Sequence, residues 1–242
     1  MSERERIDVL GVKFDNLSMD EAVERALALL AERRAAYVVT PNPEIVLACR
    51  EDPEAAQAVA GADLTIPDGI GIIYGARLLK TPLKERLPGI DFTARLLETL
   101  DRSGGSLFLL GSKPGVAERA WERLHARFPG LRLAGVHDGY FQDDGPVLEQ
   151  VNAAAPDLMM VCLGAPKQEK WMRANAPQLR VGLMVGNGGA LDVLAGDATR
   201  APAGWQKAGL EWLYRLLKEP TRLGRMMKLP LFLVQVLRAR SK

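Results

Sequence analysis

Asp68 stands in ADLTIPDGIG, after an apolar run that ends at Pro67 and directly before Gly69 and Gly71. A buried strand giving way to a loop reads like this. The carboxylate therefore belongs at a strand's carboxyl end, where α/β proteins bind ligands. Such a group can take a proton as a general base or cap a following helix, and the sequence leaves both open. Three more stretches, LLGSKPGVAERA, CLGAPKQEKW and VGNGGALDVLAG, end apolar runs in glycine and lead into helical patterns. Glycine, as at Gly111 and Gly164, lets backbone approach a ligand closely, and the following helix directs N–H groups at an anion. One such turn means little, because strand-to-helix turns use glycine anyway. Three in one chain point to a nucleotide or sugar nucleotide. The patterns GxGxxG and GxxxxGK[ST] do not occur, which argues against hydride transfer and ATP hydrolysis.

Metal chemistry finds no ligand set. His125 and His137 lack partners at ligand spacing, and Asp143 and Asp144 are adjacent rather than separated by one residue. No metal and no other cofactor is expected. Charge on a departing phosphate then needs arginine, lysine or helix dipoles. Arg86 in KERLPGID and the basic residues near the C-terminus are the candidates, with ordinary exposed arginines as the alternative.

Elements must hold these groups in place. IDVLGVKF, AAYVVT, ADLTI, SLFLLG, LRLAGV, DLMMVCLG and RVGLMVG read as strands, and helical patterns separate most of them. Ser18 with Glu21 forms a capping box opening a helix over 19–34, on which Ala22, Ala26, Leu29 and Leu30 recur at helical spacing. Near-continuous apolar strands require a sheet covered on both faces. The expectation is an α/β fold with a mostly parallel, Rossmann-like sheet and helices on both faces over 1–199. From 200 to 242 the pattern turns purely helical, with Pro220 opening a new helix. Arg215, Lys218, Arg222 and Arg225 are spaced to share one face if the helices are nearly collinear. Leucines and aromatics accompany this stripe, so it reads either as a solvated surface or as a membrane-interface face.

The 242 residues carry a net charge of +2, with 48% hydrophobic and 26% charged residues, as in a soluble chain that buries a core. The charge is uneven. From Arg200 onward ten Lys or Arg face two acids, a net of +8, while residues 1–199 set 22 against 28, a net of −6. A basic tail on an acidic body suggests an anionic partner. MSERERIDVLG lacks the apolar core of a secretory signal, and Leu229–Leu237 falls well short of the ~20 apolar residues of a membrane span. A cytoplasmic location is expected, with Cys49 and Cys162 as buried reduced thiols.

Taken in order, TPNPEIV, DLTIPDGIGI, ERLPGID, LFLLGSKPGV, GAPKQEKW, VGNGGALDVLAG and RAPAGWQKAGLEWLYRLLKEPTRLGR resemble the WecG/TagA/CpsF glycosyltransferases, glycosyltransferase family 26, from about Ile7 to Arg225. The resemblance implies a Rossmann-like variant and metal-independent, inverting transfer of a sugar from a UDP-sugar to an undecaprenyl-diphosphate-linked sugar. In the teichoic-acid branch that means UDP-N-acetylmannosamine as donor and N-acetylglucosamine as acceptor sugar. It makes Asp68 the general base, with Thr40, Asn42, Arg86 and Gln168 in the same pocket. Tyr140 and Asp192 fall near the nucleotide. Arg215, Arg222 and Arg225 become tail arginines that close over the diphosphate when the appendage meets the inner face of the membrane. A homo-oligomer is allowed, and no nucleic acid is expected. Related UDP-glucose or UDP-hexosaminuronic acid transfer, or a nucleotide-binding regulatory domain without turnover, are the other readings.

Overall fold

The computed structural model describes residues 5–218, 224 and 227–240. The chain enters through an antiparallel hairpin of β1 (Arg6–Val9) and β2 (Val12–Asp15). IDVLGVKF, expected as one strand, is thus two. Leu10 and Gly11 turn at φ 57° and 93°, the pair of positive φ values that a tight hairpin turn needs, and the Gly11 N–H donates to Asp8 Oδ1 at 2.8 Å.

The main sheet follows. After α1 (Met19–Glu32) come β3 (Ala36–Val39), α2 (Pro43–Glu51), α3 (Pro53–Ala60), the two-residue β4 (Leu64–Thr65), α4 (Ile70–Leu78) and α5 (Gly89–Ser103). Next are β5 (Ser106–Gly111), α6 (Val116–Arg127), β6 (Arg132–His137), α7 (Gly145–Ala154), β7 (Leu158–Cys162), α8 (Lys167–Asn175), β8 (Leu183–Gly186) and α9 (Ala190–Ala195). The segment beyond is helical where described: α10 (Ala203–Lys207), α11 (Glu211–Lys218) and α12 (Lys228–Arg240). The expected helix start at Pro220 lies outside the described residues.

Six strands, β3 to β8, form one parallel sheet in the order β4-β3-β8-β7-β5-β6. Its strands point successive side chains to opposite faces, and both faces are covered. Tyr37, Val39, Phe108, Leu110, Met159 and Val161 pack with α2, α4, α7, α8 and α12. Ala36, Val38, Leu107, Leu109, Leu158 and Met160 pack with α1, α5, α6 and α9. This is the α/β fold that the apolar runs imply. The Ser18–Glu21 capping box is present in full at the start of α1.

The chain leaves β5 for the face of α6 but leaves the adjacent β7 for the face of α8. Between them a crevice opens at the carboxyl ends of the strands. The turn residues singled out in the sequence, apart from Gly111, lie along it. Across α4, α12 seats Phe232 and Val236, both fully buried. Gly71 and Gly75 leave room for it: a Cβ at Gly75 would come within 2.9 Å of the Phe232 ring, and one at Gly71 within 2.5 Å of Leu229. No helix among the described residues is long and apolar enough to cross a membrane.

Candidate active site at the strand ends

A cavity of about 720 Å³ runs along the strand ends. Two loops build its floor. Thr40, just beyond β3, is 6% exposed, and its Oγ1 donates to the Gly186 carbonyl at 2.9 Å, tying the ends of β3 and β8 together. Asn42 caps α2: its Oδ1 accepts from the Ile45 N–H at 3.0 Å, which leaves the amide N–H groups as its donors.

The Asp68 N–H donates to the Pro41 carbonyl at 3.2 Å, so the second loop is laced to the first. Gly69, not Asp68, occupies the N-cap of α4, at φ 86°. The glycine takes a backbone conformation that a Cβ disfavours, and Asp68, half-buried, lines the cavity. Arg86 joins it because the Leu87 N–H donates to the Pro67 carbonyl at 2.9 Å, placing the residue before Leu87 beside the residue after Pro67. Thr40, Asn42, Asp68 and Arg86 thus share one wall-to-floor corner of the cavity.

The rest of the lining comes largely from the glycine turns. Gln168, only 2% exposed, accepts the Gly188 N–H on Oε1 at 2.9 Å and donates from Nε2 to Glu169 Oε1 at 2.8 Å. Asp192, in the first turn of α9, accepts from Ser112 Oγ at 2.8 Å. Gly164 turns at φ 78° with open space where a Cβ would stand. Tyr140, 69% exposed, hangs over the rim with its N–H fixed by Asp138 Oδ1 at 2.7 Å. All line the cavity.

Gly111 does not. A Cβ there would fall 2.3 Å from the Cys162 carbonyl oxygen, so this glycine is required by the approach of β5 to β7 and not by a ligand. The neighbouring Ser112 and Lys113 line the cavity instead. Arg215 lies on α11, and Arg222 and Arg225 fall outside the described residues. Cys162 is buried but Cys49 only partly so. Burial pushes their thiols up to about 12 and about 11, so neither supplies a thiolate at neutral pH. Among the described residues no three His, Cys, Asp or Glu are grouped to hold a metal ion.

Three features escaped the reading of the residues. Arg200 makes a bidentate pair with Asp91, both contacts at 2.6 Å, joining the start of the C-terminal helices to the first turn of α5. Those hydrogen bonds, against the cost of burial, hold the guanidinium's pKa above its usual value, and the charges of Glu211 and Asp68 add to this. Asn187 donates to Thr93 Oγ1 at 2.7 Å, while its buried Oδ1 has no partner. The α10–α11 turn presses Gly209 onto Ile70 and brings Glu211 and Trp212 to the cavity. Arg200 and Asp91 are 109 positions apart, and only their occurrence in RAPAGW and LPGID could have hinted at the pairing.

A cavity at the carboxyl ends of a parallel sheet, lined by Asp68 and Asp192, by Arg86 and Lys113 and by glycine turns, is the kind of place where α/β enzymes bind substrates. The model of the Glycosyl transferase WecG/TagA/CpsF family matches residues 7–242. Two curated relatives from Staphylococcus aureus, strains MW2 and NCTC 8325 / PS 47, are each 34% identical over 244 residues, covering 100% of this chain and 96% of the relative. Both are named N-acetylglucosaminyldiphosphoundecaprenol N-acetyl-beta-D-mannosaminyltransferase. The chain belongs to the WecG/TagA/CpsF family and is a glycosyltransferase.

Proposed function

We propose that the enzyme transfers N-acetylmannosamine from UDP-N-acetylmannosamine to undecaprenyl-diphosphate-linked N-acetylglucosamine, with inversion and without a metal, in assembly of wall teichoic acid or a related surface glycan. The names of the full-length relatives support the acceptor and the transferred sugar. The observation that carries the chemistry is the corner where Asp68, Thr40, Asn42 and Arg86 meet on two loops bonded to each other through backbone.

Asp68 takes the proton of the acceptor hydroxyl as its oxygen bonds to the anomeric carbon. The bond to the UDP oxygen breaks on the opposite face, and UDP leaves with the electron pair. One base suffices for this inversion. Thr40 and Asn42 orient the sugar, while Arg86, Lys113 and the glycine-turn N–H groups stabilise charge growing on the diphosphate. Arg215, Arg222 and Arg225 help to offset that charge when the basic segment after Arg200 meets the membrane surface where the acceptor is embedded.

Acceptor-dependent UDP release by the full-length enzyme, with EDTA present, tests this reading over a panel of UDP-sugars. UDP-N-acetylmannosamine should be the preferred donor and the product should be the β-anomer by NMR. Retained activity in Asp68→Asn would remove the base.

A further inference from the structure

Gln168 is held in a way that only one partner explains. Its amide could point either way round, but the Gly188 N–H is a donor and requires Oε1 on its side. Nε2 must then find an acceptor in a place nearly closed to water, Gln168 being 2% exposed. Glu169, the next residue of α8 and 0% exposed, supplies it at 2.8 Å. Turned over, the amide would set donor against donor at Gly188 and carbonyl against carboxyl at Glu169. Asn187, Gly188 and Gly189 all line the cavity, so this buried chain ends at the ligand side.

We propose that Glu169 is a positioning residue for transfer, whose carboxyl fixes the Gln168 amide and through it the Asn187–Gly189 turn against which the UDP-sugar binds. The inference rests on the reading under Proposed function. A merely structural acid would be expected to have its charge answered, and this one does not. Its Oε2 is buried without a hydrogen-bond partner, and no ion pair reaches it among the described residues.

The neighbours confirm the isolation. Lys170 on α8 is taken by Asp52 and Glu54 at 2.6 and 2.8 Å, and Arg173 donates to Gln57 at 2.8 Å. Asp144, ahead of α7, accepts from Trp171 and Asn175. Cys49, facing from α2, is a neutral thiol whose pKa burial, and secondarily the Glu169 charge, push up to about 11. Burial, opposed in part by the Gln168 hydrogen bond, pushes the Glu169 carboxyl up to about 7. The ionised form accepts more strongly than the neutral one. The hold on Gln168 therefore tightens as pH rises through that value.

The experiment pairs Glu169→Gln with Glu169→Met in the full-length enzyme, reading the Gly188 amide by NMR, UDP-N-acetylmannosamine KM and kcat, and both against pH from 5.5 to 8.5. In the wild type the Gly188 amide should titrate near 7 and KM should fall across the same range. Glu169→Gln keeps an acceptor for Nε2, so it should hold KM within about threefold and abolish both titrations. Glu169→Met strands Nε2 and should raise KM roughly 10-fold or more with kcat less affected. A Gly188 amide unmoved by Glu169→Met and titrating alike in Glu169→Gln would overturn the inference. If Glu169→Met does not fold, Glu169→Gln decides the matter through the two titrations. If the wild type binds no UDP-sugar, the functional reading fails, and the Gly188 signal still decides the role of Glu169.

Discussion

Along the strand ends, chemistry-bearing side chains are placed by backbone. Pro41 holds Asp68, Pro67 holds Leu87 beside Arg86, and Gly186 holds Thr40. In the helices after Arg200, placement comes from side-chain contact instead: Phe232 and Val236 fill the groove over Gly75, Trp205 packs edge-on to Tyr214 at 5.7 Å, and Lys228 reaches Glu44 at 3.6 Å. Backbone ties at the ends of buried strands leave little freedom, as a proton-transfer geometry requires. Contacts such as those of α11, whose Leu217 is 65% exposed, can open and close at low cost. The difference assigns precision to the sheet and adjustability to the C-terminal helices.

The largest effect should come from the rigid side. Asp68→Asn should lower kcat by about 10²–10⁴-fold with a far smaller effect on the denaturation midpoint, because the side chain stands outside both core clusters. A large loss of stability instead would make Asp68 structural and blur the contrast. Phe232→Ala sharpens it from the other side. Removing a fully buried ring should cost about 3–5 kcal/mol by urea denaturation and loosen α12 before the sheet, seen as faster hydrogen exchange in α4 and α12. Truncation after Arg200 should then abolish transfer and also bare the face of α4 at Gly71 and Gly75.

A third test separates stability from function within the core. The Glu169 carboxyl, at about 7 folded against an ordinary 4.5, binds its proton more tightly folded than unfolded. Its contribution to stability is thus greatest below about 4.5, falls as pH rises, and levels off above about 7, a loss on the order of 3 kcal/mol. Glu169→Gln should remove that slope and be the more stable protein at pH 8 by thermal denaturation. The smallest effect belongs to the tether. Arg200–Asp91 is partly exposed, at 23% and 42%, so solvent screening holds the cost of Asp91→Asn to about 1 kcal/mol. Its effect on KM at low salt should exceed its effect on stability.

Much of this was legible in short stretches. The parallel sheet follows from SLFLLG and LMMVC, because a strand apolar on both sides needs cover on both faces. The Ser18–Glu21 cap is set by spacing alone. The position of Asp68 at a strand end was readable for the same reason. Its choice between helix cap and cavity was not: it turned on Gly69 taking the cap and on Asp68 being laced to Pro41 from another strand. Gly111 shows the converse, a glycine whose role as ligand contact or strand contact depends on how near Cys162 comes.

What the sequence by itself determined is what neighbours within a few positions can enforce: which runs are strands, where helices start, and which residues stand at strand ends. Only the tertiary structure decided that Glu169 loses all water, that Arg200 finds Asp91 across 109 positions, and that α4 offers Gly75 to Phe232. Those outcomes depend on burial and on contacts between segments far apart in the chain. Desolvation and close packing exist only once the chain has closed around them.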